Sequence, residues 1–114
     1  MFAAMTISRP LSTTLLGGAL LALSALSPAQ ASEALARQKA CMACHQVSKA
    51  VVGPSFADIA KRYKGDKKAP AALATKIRKG GSVVWKMPMG PMPAQGQVSE
   101  AEAKQLVSWI LATK

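Results

Sequence analysis

The residues best equipped for chemistry stand together in one run, Cys41-Met42-Ala43-Cys44-His45, which holds both cysteines and the single histidine of the 114-residue chain. Positions i, i+3 and i+4 share a helix face, so two thiols and an imidazole can meet one flat object laid against it. The spacing is C-x-x-C-H, the attachment signature of c-type haem: two thioethers fix the porphyrin's vinyl edge, and the adjoining His45 can put a ring nitrogen on iron. The other ring nitrogen then needs an acceptor, which the nearby Gly53-Pro54 turn could offer as a backbone carbonyl. Plainer readings compete. A zinc site needs four ligands, more than these residues provide. A thioredoxin-like dithiol expects a preceding strand, and no strand pattern is present. A simple disulfide is the third, and export together with the thin core described below favours haem over it.

A second iron ligand is sought among Met42, Met87, Met89 and Met92. Met42 lies inside the attachment motif and cannot reach the opposite face of the ring. Met92 sits between Pro91 and Pro93, whose locked φ angles pre-organise the backbone and reduce the entropy lost when the thioether is held. Met92 is therefore the expected ligand, with Met89 and Met87 as alternatives. An iron ligated on both faces has no open position for substrate, and its business is electron transfer. With the only histidine committed to iron, no Ser/His/Asp set is possible, and Asp58, Asp66, Glu100 and Glu102 fall on helix-surface or cap positions rather than in an acid pair.

The elements that must position these groups read as helices. Ser32 can cap a first helix over about 33–44 that runs into the motif. Gly53-Pro54 marks a turn, and Phe56, Ile59, Ala60 and Tyr63 recur at helical spacing before Gly65. A third helix spans 70–79, with Pro at its first turn, basic residues in its last and Gly80-Gly81 as stop. Residues 82–98, with three prolines and two glycines, predict an ordered extended loop, which at that length in a compact domain is usually functional. Ser99-Glu100-Ala101-Glu102 is a capping box opening a last helix, with Ala103, Leu106, Val107, Ile110 and Leu111 as its buried stripe.

Charge and hydropathy divide the chain in two. Residues 1–31 carry one charge, Arg9, then an apolar run from Leu11 to Leu26 and the small-residue ending Pro28-Ala29-Gln30-Ala31. That pattern predicts a secretory leader cleaved after Ala31, because the 16-residue run is short of the ~20 apolar residues of a membrane span. Removing Arg9 from the formal +10 leaves +9 on residues 32–114, with only Phe56, Tyr63, Trp85 and Trp109 as aromatics. A domain this small is marginal from side-chain burial alone, so a bound group is expected to complete the core. The basic excess predicts redox partners with acidic docking surfaces, with Lys39, Lys49 and Lys86 nearest the haem. Nucleic acid is a poor fit for an exported chain without interleaved aromatics.

Taken together, Cys41-Met42-Ala43-Cys44-His45, Val52-Gly53-Pro54, Trp85, Pro91-Met92-Pro93 and the closing segment from Val98 to Leu111 resemble the small class I bacterial cytochromes c of the c-551/c-552 type, over essentially all of 32–114. The resemblance implies an all-α fold of about four helices around one covalent haem c held by Cys41 and Cys44, with the first and last helices packed together. It implies His45 as proximal and Met92 as distal ligand, Pro54 as acceptor of the histidine's hydrogen bond, Trp85 near a haem propionate, and Gln95 as the amide beside the methionine sulfur. The spacing from Trp85 to Met92 is two residues longer than the common W-G-x-x-P-M. The function implied is that of a monomeric periplasmic one-electron carrier, not an enzyme, working with a reductase and a terminal oxidase or nitrite reductase. The alternative is a haem protein with a labile methionine ligand, active in gas binding or peroxidase-like chemistry.

Overall fold

The computed structural model describes residue 22 and residues 28–81, 84–88 and 90–114. Nearly all of the expected leader, and the alternative ligand Met89, lie outside the described residues. Among those described there are four α-helices: α1 (Pro28–Gln38), α2 (Phe56–Arg62), α3 (Ala69–Lys79) and α4 (Glu100–Leu111). A single 3-10 turn, Cys41–Ala43, follows α1. No strand occurs among the described residues; the extended pairing is confined to two isolated antiparallel bridges, His45 with Ala50 and Gly81 with Met92.

Three helices match their sequence signals. Ser55 caps α2 by accepting from the Asp58 amide. In α3 the proline sits in the first turn and basic residues close the last. The α4 capping box is complete: Ser99 Oγ accepts from the Glu102 amide at 3.1 Å, and Glu102 Oε1 accepts from the Ser99 amide at 2.9 Å.

The first helix departs from expectation at both ends. It starts at Pro28, whose fixed φ suits a first helical position, so Ser32 lies buried inside it instead of capping it. It stops at Gln38, well short of residue 44, because Ala40 adopts a left-handed conformation (φ 61°, ψ 19°). That conformation costs an L-residue about 1–2 kcal/mol, and alanine has no local reason to adopt it. The bend is held from a distance: the carbonyl of Lys39 accepts a hydrogen bond from Gln97 Nε2 at 3.2 Å, on a segment 58 residues away.

α4 is the organising element, packing against α1, α2 and α3. Its stripe of Ala103, Leu106, Val107 and Ile110 is buried, together with Ala36 of α1, Phe56 of α2, Ala74 and Ile77 of α3 and Val98 of the preceding loop. Among the described residues this core holds one buried aromatic, Phe56, so most of its large volume must come from elsewhere.

Candidate functional site

Between the helices lies a cavity of about 570 Å³, within the ~300–1,000 Å³ typical of small-molecule and cofactor sites. Its walls are mostly apolar, from Ala36, Phe56, Ile59, Leu73, Ile77, Leu106 and Ile110. Each residue singled out in the sequence as a site residue lines it: Cys41, Cys44, His45, Pro54, Trp85, Met92 and Gln95. Met87 lines it as well.

The attachment motif reaches the cavity from a tighter turn than the expected helix. The amides of Cys44 and His45 both donate to the Cys41 carbonyl, at 3.2 and 3.0 Å, so the two thiols and the imidazole still share one turn. Both cysteines are free thiols and half-buried. Burial above all pushes the Cys41 thiol above its ordinary value, and charge on Cys44 adds to the rise.

His45 is fixed on three sides. Its Nδ1 lies 2.7 Å from the Pro54 carbonyl; a carbonyl can only accept, so Nδ1 carries the proton and the neutral ring keeps its lone pair on Nε2. Phe56 stacks on the ring at 5.3 Å between centroids and is braced in turn by Trp109, edge-on at 5.1 Å. Gly53 closes the remaining side: an ideal Cβ there would stand 2.6 Å from His45 Cε1 and 2.9 Å from Nδ1. The Gly53 amide donates to the Cys44 carbonyl at 2.8 Å, and the Phe56 and Ala57 amides donate to Gln46 and Val47. The 44–47 and 53–57 segments are thereby clamped around the imidazole.

The extended loop also lines the cavity. Met92 is half-buried, packs against the core, and its carbonyl accepts from the Gly81 amide at 2.9 Å. The fit with α3 depends on Gly80 (φ 66°), where a Cβ would stand 2.5 Å from the Met92 carbonyl oxygen and 2.6 Å from the Ala94 nitrogen. Gln95 is anchored by its own amide to the Ile77 carbonyl. Its side chain donates to the Pro93 carbonyl at 3.0 Å and accepts from Gln97 Nε2 at 2.8 Å. At the mouth, Arg62 lies over the Trp85 ring, 5.3 Å from its centroid, and Tyr63 and Lys76 line the same cavity. The basic run beginning at Lys61 therefore abuts the site. Lys39, expected as an open docking charge, is instead committed to Glu102 Oε2 at 3.0 Å and the Gln97 carbonyl at 3.1 Å.

These features fit a haem. A mostly apolar cavity is lined together by two unlinked thiols, an imidazole whose free nitrogen is Nε2 and a thioether in a proline-flanked loop. Sequence reasoning missed Gly53, Gly80 and Gln97. The two glycines were visible only as turn signals, and Gln97 carried no signal, since its partner is 58 residues away.

Comparison with known proteins points the same way. Residues 29–114 match the family model described as Cytochrome c. The chain is 56% identical over 84 residues to cytochrome c-552 of Hydrogenobacter thermophilus, covering 74% of this chain and 83% of the relative. It is 48% identical over 86 residues to cytochrome c-552 of Nitrosomonas europaea, covering 75% and 82%. The crystal structure of wild-type Nitrosomonas europaea cytochrome c552 superposes with a TM-score of 0.67 at 46% identity, over 72% of this chain and 99% of that one.

Proposed function

The chain belongs to the cytochrome c family, and from that premise we propose that it is a periplasmic one-electron carrier whose haem iron is ligated by His45 and Met92. The cofactor is haem c, for whose two thioether links the chain has Cys41 and Cys44. When bound, the haem supplies a one-electron ferric/ferrous couple.

The observation that carries the reading is the convergence of His45 and Met92 on one cavity from opposite elements, with His45 Nδ1 held 2.7 Å from the Pro54 carbonyl. Pro54 orients the imidazole and, by accepting the Nδ1–H hydrogen bond, makes Nε2 a stronger electron-pair donor to a metal. Phe56 and Gly53 prevent rotation of the ring. Pro91 and Pro93 hold the Met92 backbone extended, so little conformational entropy is lost on ligation. A thioether ligand from Met92 would raise the potential of a bound haem, and the mostly apolar lining of the cavity would limit water around it. The restraints on His45 and on the Met92 backbone would keep reorganisation small when a bound haem changes oxidation state. Trp85, which lines the cavity with Arg62 over its ring, is the residue that would meet a haem propionate. The secretory leader expected over residues 1–31 supports a periplasmic location.

A pyridine haemochrome assay on purified protein should report one covalent haem c per chain. Met92→Ala should abolish the near-infrared sulfur-to-iron charge-transfer band of the oxidised form and lower the reduction potential. Loss of the band in Met87→Ala or Met89→Ala instead would move the ligand. Rapid, complete carbon monoxide binding by the reduced wild type would favour gas binding or peroxidase-like chemistry over electron transfer.

A further inference from the structure

A continuous polar chain connects the segment that carries the thioether cysteines with the loop that carries Met92. It begins at Lys39, two residues before Cys41, whose ammonium donates to the Gln97 carbonyl at 3.1 Å while its own carbonyl accepts from Gln97 Nε2 at 3.2 Å. The pairing is reciprocal, side chain to backbone in both directions. Gln97 Nε2 also lies 2.8 Å from Gln95 Oε1, and Gln95 Nε2 donates to the carbonyl of Pro93, the residue after Met92. The far end of Lys39 is fixed by Glu102, whose other oxygen is occupied in the α4 capping box. The Lys39 side chain is 20% exposed, whereas Gln97 and the hydrogen bonds it makes lie at the surface, so the clasp competes with water and each bond contributes modestly.

Covalent connection does not explain this arrangement. Met92 lies between prolines that stiffen its own backbone but tie it to nothing, and the direct backbone ties of its loop run to α3: Gly81 to Met92, and Gln95 to Ile77. Among the described residues, the Lys39–Gln97–Gln95 chain is the set of side-chain hydrogen bonds that ties the loop to the cysteine-bearing segment. We propose that Lys39 and Gln97 are positioning residues that clasp the Met92 loop shut and so set how often the methionine leaves the iron. The inference rests on Met92 being the ligand. It also accounts for the left-handed Ala40: reversing the chain there presents the Lys39 carbonyl to Gln97 instead of to a continuing helix.

The test uses the oxidised holoprotein and cyanide, which can bind iron only when the methionine position opens, so its rate at saturating cyanide reads the opening rate. Gln97→Ala and Lys39→Met should each keep the charge-transfer band at rest and bind cyanide roughly fivefold faster, as expected for loss of one or two hydrogen bonds. Lys104→Met, which removes the exposed Glu100 pair on α4, is the control and should bind at the wild-type rate. Denaturation midpoints of all three are measured alongside. Unchanged cyanide rates in both clasp variants would overturn the proposal. So would rates that merely follow the denaturation midpoints, control included, since the network would then be an ordinary staple. A Met92→Ala protein that retains the band would overturn the ligand assignment itself, a result separable from either of the others.

Discussion

The imidazole of His45 is useful as a ligand only if its free nitrogen points one way, and each neighbour removes a different freedom. Pro54 sets the tautomer, Phe56 blocks one face and Gly53 stands against the ring edge. Gly53 is the sharpest constraint, because a Cβ 2.6 Å from Cε1 cannot coexist with the ring in place. Gly53→Ala should tilt the imidazole or stretch its bond to Pro54, destabilising the holoprotein by about 1–3 kcal/mol as overpacking does. A denaturant titration together with a shifted reduction potential would register it; wild-type values for both would show that the 44–47 segment yields freely. At this scale what the sequence singled out, Cys41, Cys44, His45 and Met92, does line one cavity, and these residues stood out because cysteine, histidine and proline-flanked methionine are rare and their spacing is local. The glycines were not, because what makes Gly53 and Gly80 necessary is an atom brought near by folding.

Elements were legible where their signals were local and illegible where a distant contact prevailed. The α4 capping box, the Pro70 start and the amphipathic stripe were each written within one or two turns, and the helices formed accordingly. The first helix was overextended because Ala, Arg, Gln and Lys are good helix formers and nothing nearby forbids continuation; Gln97 does, from across the fold. A left-handed alanine is strained where glycine would not be, so Ala40→Gly should stabilise the folded protein by up to about 1 kcal/mol, less the greater flexibility it gives the unfolded chain. Thermal denaturation of the holoprotein checks this, and a marked loss of stability would contradict the backbone geometry. Glu102 ties two elements together, and the Ser99 amide, with Lys39 beside it, holds its carboxyl below the ordinary glutamate value. A lowered folded pKa means stabilisation that is present above the unfolded value and lost as pH falls through the folded one. Stability should therefore decline on acidification below the usual glutamate range, and Glu102→Gln should flatten that part of the curve. An unchanged acid limb in the variant would place the loss elsewhere.

For the whole molecule the helices form a thin shell, and its small aliphatic core explains why folding and cofactor attachment belong together. The cavity is lined by exposed residues such as Val84, and Arg62 stands over its Trp85, so charge around the mouth bears directly on partners. The chain is strongly basic, with a formal charge of +10 and five acidic residues, of which Glu33, Glu100 and Glu102 are already paired with Arg37, Lys104 and Lys39. Lys86 is exposed between the cavity-lining Trp85 and Met87, and Lys49 is exposed on the loop that leads to Gly53. Val84, 56% exposed, adds an apolar spot at the same mouth. An apolar centre bordered by lysines suits an acidic redox partner, whose encounter is accelerated by attraction over a Debye length of ~10 Å at 0.1 M salt. Electron transfer to that partner should slow by on the order of 10-fold or more as salt rises well above physiological strength. Lys49→Glu and Lys86→Glu should lower the association rate more than Lys67→Glu or Lys68→Glu between α2 and α3, with the potential little changed in all four. Stopped-flow rates against salt provide the measurement. Rates indifferent to salt and to every reversal would mean that the basic surface only keeps the protein solvated, and that the apolar mouth alone selects the partner.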